Sequence, residues 1–183
     1  MKKRLLASLC FAAMALTACD KKTNEAPASS STNSAVSTPP ASTQPATAAL
    51  SSNNAADIKN DLNQIQTLSN SRAKEAAALQ EKANQAAQKG DKASLNSIVA
   101  EMKGYIARFN QDLDALSLKS TELDAVRGKI KESNNIGIEL SEASIANTPD
   151  TKKITELQNR ATALQKELVT EMQALQTKAQ TAS

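Results

Sequence analysis

The feature that most constrains the fold of this chain is a heptad repeat of apolar residues that begins near residue 54. Its first stretch advances in alternating steps of four and three: Ile58, Leu62, Ile65, Ser69, Arg72, Ala76, Leu79, Ala83 and Ala86. This spacing places the stripe on one face of an α-helix, where it can pack against other helices. With one tyrosine, two phenylalanines and no tryptophan, the composition favours thin packing of Leu, Ile and Ala. We therefore predict an all-α fold, an elongated antiparallel helical hairpin or three-helix coiled-coil bundle.

Capping residues mark the ends of the first and last predicted helices in this domain, residues 54–183. Asn54 suits an N-cap and Gly90 a C-terminal stop, which predicts a first helix over about 54–89. Thr148 suits the N-cap of the last helix and Pro149 its first position, which predicts a helix over about 149–180. Short connections make neighbouring helices antiparallel.

The second predicted helix is the longest, over about 91–146, and Asp91 can serve as its N-cap. Its apolar stripe keeps one heptad phase from Leu95 to Leu140, which favours a continuous helix. Two positions for a break stay open. The segment 134–137 (Asn-Asn-Ile-Gly) is the favoured one, and the segment 117–121 is the alternative, where Thr121 could cap a new helix.

Charged residues at or beside the stripe predict polar pairs between the first two helices. Folding the chain back about residue 90 brings Arg72 within one helical turn of Asp112, and it brings Asp61 opposite Lys119. We expect both pairs to lie along this seam and to fix the register of the two helices. The alternative is that these side chains extend into water from a seam that is not tightly closed.

Tyr105 and Phe109 form an aromatic pair, four residues apart on the second predicted helix. At this spacing both rings lie on the same face of the helix. We expect them to fill the core, and contact with an apolar ligand is the alternative.

The remaining composition argues against catalytic and metal sites. The chain has no histidine, so a His-dependent nucleophile or metal site cannot form, and its carboxylates lack the spacing of metal ligands. Four glycines scarcely suffice for a phosphate-binding loop. We expect no catalysis, no metal and no cofactor. Basic and acidic residues alternate and aromatic stacking platforms are scarce, so we do not expect a nucleic-acid partner.

Residues 19–53 differ from the helical domain in composition. Ser, Thr, Ala and Asn dominate this segment, and it holds four of the five prolines of the chain, Pro27, Pro39, Pro40 and Pro45. No helical or strand period occurs in it, so we predict a disordered linker with a reach of roughly 30 Å. It is either a spacer that lifts the domain off a membrane or an unselected linker.

The first residues have the layout of a secretory signal. Lys2, Lys3 and Arg4 precede a largely apolar run of twelve residues, from Leu5 to Leu16, which is shorter than the roughly 20 residues that a membrane-spanning helix needs. The run ends in the sequence Leu-Thr-Ala-Cys at residues 16–19, which resembles the lipobox of bacterial lipoproteins.

This resemblance implies a signal peptide over residues 1–18, cleaved between Ala18 and Cys19. Cys19 would then carry diacylglycerol on its sulfur and an acyl chain such as palmitate on its amine, and these chains would anchor the protein in a membrane. An ordinary signal peptide with an incidental cysteine is the alternative. The resemblance implies the periplasmic side of the cell envelope. Asp20 resembles an inner-membrane retention signal, but sorting rules differ between bacteria, so both envelope membranes stay open.

Loss of this signal peptide also changes the charge of the protein. Without Lys2, Lys3 and Arg4, the 22 basic residues fall to 19 and equal the 19 acidic ones. The basic charge therefore gives no reason to expect a nucleic-acid partner. The thin ends of an elongated helical bundle expose apolar edges, so we expect a structural or scaffolding role through helix–helix contacts with an envelope protein or a second copy. The alternative is a periplasmic carrier or chaperone that shelters an apolar ligand between helices near Tyr105 and Phe109.

Overall fold

The computed structural model describes residues 49–181. From Leu50 onward these residues form one compact unit. The helices of the described part are α1 (Ala55–Lys89), α2 (Lys92–Asp114), α3 (Thr121–Ile145) and α4 (Thr151–Gln180). Ser51 and Ser120 form an isolated parallel β-bridge among these residues. The prediction of an all-α fold is confirmed.

The four helices pack as an antiparallel bundle. Each helix contacts the next one along the chain, and α1 also contacts α4, which closes the bundle. Ion pairs show the antiparallel direction of α2 and α3, since Lys103 meets Glu142 whereas Asp114, at the end of α2, meets Lys131 near the start of α3. The predicted antiparallel packing is confirmed, with four helices in place of three.

Local capping forms the ends of α1 and the start of α2 as the sequence predicts. The Asn54 side chain accepts hydrogen bonds from the backbone N–H groups of Ala56 and Asp57, at 3.0 and 3.2 Å. Gly90 ends α1 in the left-handed conformation with φ of 67°, which glycine adopts without a steric penalty. Asp91 caps α2 by accepting a hydrogen bond from the Ser94 N–H at 3.0 Å.

The prediction of one helix over 91–146 is wrong, because the chain turns at residues 115–120, between α2 and α3. The break therefore occurs at the alternative position, and the favoured segment 134–137 lies within α3. In that segment Ile136 is 2% exposed, and the Asn134 side chain donates to that of Asn110 on α2 at 2.9 Å. The burial of Ile136 and the hydrogen bond to α2 keep the segment helical despite its glycine.

The start of α4 also differs from the prediction. Its N-cap is Asp150, not Thr148, and the helix begins at Thr151 rather than at Pro149. The Asp150 carboxylate accepts hydrogen bonds from the backbone N–H groups of Lys152 and Lys153, at 3.0 and 3.1 Å. An aspartate that satisfies two orphan N–H groups and carries a negative charge is the stronger cap for this end of the helix.

The end of the predicted linker belongs to the bundle. The Ser51 N–H donates to the Lys119 carbonyl at 2.7 Å, and the Ser51 carbonyl accepts from the Thr121 N–H at 2.9 Å. The linker boundary therefore precedes Ser51 rather than following residue 53. The rest of the predicted linker, up to residue 48, lies outside the described residues.

The core is most deeply buried beside the turn between α2 and α3. Ile58, Leu113, Leu123 and Val126 are 0% exposed there, as is the carboxylate-bearing Asp61. We call this part of the bundle the turn end. At the opposite, distal end, Ala76, Leu79, Ala83, Ala86, Ile98, Met102, Tyr105 and Ile106 form a second buried cluster.

Candidate interaction surface

Arg72 on α1 and Asp112 on α2 meet on the bundle surface. The Arg72 Nε lies 3.0 Å from the Asp112 Oδ2, and a second guanidinium nitrogen contacts the same oxygen. Glu75 joins this pair to Arg108, so four charges link α1 to α2. The hydrogen bond and the charge of Asp112 raise the pKa of Arg72, which keeps the guanidinium protonated. The structure thus brings together the residues of the first predicted pair.

A surface groove runs beside this ion pair. It has a volume of about 470 Å³ and is lined by Leu68, Ser71, Arg72, Asp112, Ala115 and Leu116. The two leucines are half-buried and Ser71 and Ala115 are exposed, so the groove combines apolar side chains with a charged edge. It opens broadly to solvent, a shape that suits a side chain or helix ridge from another protein better than an enclosed small molecule.

Asp61 does not form the predicted side-chain pair with Lys119. Its Oδ2 accepts instead from the backbone N–H groups of Lys119 and Ser120, at 2.8 and 2.7 Å, and from the Ser120 hydroxyl at 2.7 Å. Lys119 lies in the turn and is exposed. Asp61 itself is 0% exposed, so its carboxylate acts as an internal acceptor that holds the turn against α1.

A second set of polar contacts, which we call the clasp, joins residues 51–53 to α3 and α4. The Asn53 N–H donates to the Glu122 Oε1 at 2.7 Å, and Lys178 of α4 contacts both Asn53 and Glu122. Burial disfavours the charged form of Glu122. The net effect of its surroundings nevertheless lowers the pKa of Glu122. The effect of burial is outweighed by hydrogen bonds from the Asn53 and Glu122 N–H groups and the Thr121 hydroxyl, and by the charge of Lys178.

The sequence pattern indicates a buried role for Asp61 but not for its partners. An acid three residues after Ile58 and four before Ile65 lies on the apolar face of the helix, which marks it for a buried contact. Ser120 and Ser51 carry no such pattern, because their contacts depend on where the chain turns. The sequence reasoning therefore missed both serines.

Tyr105 and Phe109 pack on each other, with ring centroids 6.2 Å apart and ring planes 10° from parallel. Tyr105 is 7% exposed and belongs to the distal cluster of the core, whereas Phe109 is half-buried. Burial, and to a lesser degree the charge of Glu75, raise the pKa of the Tyr105 phenol. Neither ring lines the groove described above.

Another pocket lies between α1, α2 and α3 at the distal end. Its lining includes Ala83, Leu95, Ile98 and Ser141, and its volume is about 20 Å³. A space of this size holds about one water molecule. It therefore represents a small packing gap rather than a chamber for a ligand.

Within residues 49–181, no group of three or more acidic, histidine or cysteine side chains is arranged to hold a metal ion. Across the same residues, no helix has the length and apolar character needed to cross a membrane. Cys19, the predicted site of lipidation, and the predicted signal peptide over 1–18 lie outside the described residues.

Comparison with known proteins identifies a family for most of the helical domain. The model of a family described as uncharacterised lipoprotein PM1805 matches residues 59–180, which cover α2, α3, α4 and nearly all of α1. No curated protein and no solved structure gives a significant match.

Proposed function

The chain belongs to the uncharacterised lipoprotein family PM1805, and from this membership we propose that its bundle is a scaffold of the bacterial cell envelope. In this proposal acyl chains on Cys19 hold the protein on a membrane, and the helical domain faces the periplasm. The scaffold works by helix–helix contact with another envelope protein or with a second copy. The protein does not act as an enzyme in this proposal, and it uses no cofactor.

The observation that carries the proposal is the groove beside the Arg72–Asp112 pair. Its leucines offer an apolar contact, and its charged edge can orient a partner. In protein interfaces, apolar side chains usually supply the buried area and charged groups the specificity. Apart from Leu50 and Val169, which are 39% and 40% exposed, the large apolar side chains of the described bundle are buried or half-buried. A contact confined to one groove suits a specific and reversible partner better than an extensive permanent interface.

The carrier alternative has less support. A carrier needs an enclosed apolar cavity of several hundred Å³, whereas the more enclosed of the two described pockets has only about 20 Å³. At the predicted ligand position, Tyr105 instead contacts Phe109 and the distal core. The aromatic pair therefore fills space that a ligand would need.

Site-specific photo-crosslinking in living cells tests the scaffold proposal. A photoreactive residue at Ser71, which lines the groove, should give an adduct of defined mass. Ala163 on α4 serves as a matched control, because it is also solvent-exposed but does not line the groove. An adduct at Ser71 and none at Ala163 supports the proposal. Only the monomer from both positions, or the same adducts from both, contradicts it.

A separate experiment tests the membrane anchor. Cells that express the full chain are grown with a labelled fatty acid, and the protein is recovered from membrane and soluble fractions. We expect label and membrane association for the native chain and loss of both for Cys19→Ala. Label retained by Cys19→Ala contradicts the assignment of the anchor to Cys19.

A further inference from the structure

The turn between α2 and α3 consists of residues that are all compatible with a helix. Its sequence from 115 to 120 is Ala-Leu-Ser-Leu-Lys-Ser, with neither glycine nor proline. The apolar heptads of α2 and α3 also keep the same phase across this turn, from Leu95 to Leu140. Local sequence therefore permits a continuous helix from α2 into α3.

Contacts with side chains of α1 and α3 hold the turn in its bent form. Asp61 on α1 accepts from two N–H groups and one hydroxyl in the turn, and Gln64 donates to the Ser117 carbonyl at 3.3 Å. Arg127 on α3 donates to the carbonyls of Leu113 and Leu116, at 3.3 and 3.4 Å. The bent turn therefore depends on α1 and α3 both lying beside it in the same bundle.

The turn also separates two helical hairpins, α1–α2 and α3–α4. Each hairpin has a short connection and its own interhelix ion pairs, such as Lys82–Glu101 in the first and Arg160–Glu132 in the second. The hairpins contact each other along two seams. Polar pairs cross the α2–α3 seam, but among the described residues no ion pair joins α1 to α4. The α1–α4 seam can therefore separate without breaking an ion pair.

We propose that two copies of this chain exchange hairpins to form a dimer. In this dimer the turn straightens, and α2 and α3 become one helix over residues 92–145, roughly 80 Å long. The α1–α2 hairpin of each copy packs against the α3–α4 hairpin of the other, so the contacts across both seams are remade between copies. Such an exchange of identical elements needs no new complementary surface.

The hydrogen bonds of the turn can be replaced in the straight helix. The Lys119 and Ser120 N–H groups leave Asp61 and donate to the carbonyls of Ala115 and Leu116, four residues earlier. Asp61 loses these donors and gains contact with water. Asp61 is thus the residue that most directly favours the closed monomer over the exchanged dimer.

The first test is the oligomeric state of variants, measured by sedimentation across protein concentrations. The chain from residue 19 onward, with Cys19→Ala, is the starting protein. Asp61→Ala should raise the dimer fraction at least tenfold at a fixed concentration. Glu81→Ala is the matched control, because it removes an exposed acid of the same helix, and it should leave the fraction unchanged.

Ser117→Pro distinguishes exchange from non-specific association. Proline inside a helix removes a backbone hydrogen bond and clashes with the preceding turn, which disfavours each straightened hinge by a factor of more than about 100. The double variant Asp61→Ala/Ser117→Pro should therefore return to the monomer. A double variant that remains dimeric, or an Asp61→Ala chain that stays monomeric, overturns the proposal.

The second test locates the contacts with a short bis-maleimide linker in the same chain, which has no other cysteine. Lys103→Cys/Glu142→Cys spans the two hairpins, so in the isolated dimer it should crosslink between chains. Lys82→Cys/Glu101→Cys lies within one hairpin and should crosslink within a chain in monomer and dimer alike. A dimer whose 103–142 crosslink stays within one chain overturns the proposal.

This inference deepens the scaffold proposal by naming a second copy as one partner, and it rests on that proposal only for its biological setting. Failure of the exchange tests leaves the Ser71 crosslink to another protein unaffected. Conversely, dimer exchange in vitro combined with no adduct at Ser71 in cells contradicts the groove-based scaffold while supporting the exchange.

Discussion

Replacing Asp61 with alanine is expected to destabilise the closed monomer by about 4 kcal/mol. The native carboxylate accepts three hydrogen bonds of 2.7–2.8 Å and is 0% exposed. Alanine leaves the Lys119 and Ser120 N–H groups and the Ser120 hydroxyl without their acceptor. The two buried donors of Ser120 cost about 1–3 kcal/mol each, and the part-buried Lys119 N–H costs less. Asparagine keeps one carbonyl acceptor in place, so Asp61→Asn should cost only about 1–2 kcal/mol.

Urea unfolding followed by circular dichroism measures this effect. The chain with Cys19→Ala is used at a concentration where sedimentation shows a monomer, and Glu81→Ala is compared in parallel. We expect the order of stability to be native, then Asp61→Asn, then Asp61→Ala, with Glu81→Ala within about 0.5 kcal/mol of native. Asp61→Ala within the same margin would refute the assignment of Asp61 as the residue that holds the turn.

Three further predictions concern individual residues. Asp150→Ala should lower the free energy of unfolding by about 1 kcal/mol, whereas Thr148→Ala should leave it unchanged in the same urea assay; equal effects would contradict Asp150 as the N-cap. Because the fold lowers the pKa of Glu122 from 4.5, its stabilising contribution is present above pH 4.5 and is lost as the pH falls through the lower folded pKa. Unfolding curves from pH 6 to 3 should therefore show a smaller acid-dependent loss for Glu122→Gln, and an unchanged loss would count against the clasp. Tyr105 is the single tyrosine, so ultraviolet absorbance should give a phenol midpoint above 10.0 in the folded chain and near 10 in guanidinium chloride; equal midpoints would show that the ring is not buried.

Local sequence rules predict much of the helical pattern. Asn54, Gly90 and Asp91 act as caps because capping depends on residues within one turn of the helix end. The displaced start of α4 illustrates competition between neighbouring caps. Thr148 and Asp150 both suit an N-cap, and Asp150 prevails because its carboxylate reaches two N–H groups.

The local sequence pattern alone does not locate the turn at 115–120. Its hydrogen bonds to Asp61 join residues 58 and 59 positions apart in sequence, and the heptad phase across it favours a straight helix. Tertiary contacts thus override local propensity here. By contrast, the segment 134–137 looks like a break locally but is stabilised as helix by the burial of Ile136 and the contact between Asn134 and Asn110.

In the candidate site, too, some contacts follow from local sequence rules and others depend on the tertiary path of the chain. Folding the sequence back at Gly90 was enough to bring Arg72 near Asp112, because both lie on regular helices joined by a short connection. It also brought Asp61 near Lys119, but it could not show that the backbone N–H, rather than the ammonium group, makes the contact. To predict which group of Lys119 makes the contact, the path of the turn must be known. The same holds for the groove, because Ala115 and Leu116 line it from the turn.

The most direct test of the four-helix bundle is the distance between spin labels at Ala107 on α2 and Glu139 on α3. Both positions are exposed, and the neighbouring pair Lys103–Glu142 shows that they lie across the same seam. Pulsed electron paramagnetic resonance on the Cys19→Ala monomer, diluted with unlabelled chain, should give a distance of roughly 20 Å, since packed helix axes are about 10 Å apart. A continuous helix would separate the two positions by roughly 48 Å at 1.5 Å per residue. A monomer that gives the longer distance would contradict the turn at 115–120 and the bundle built on it.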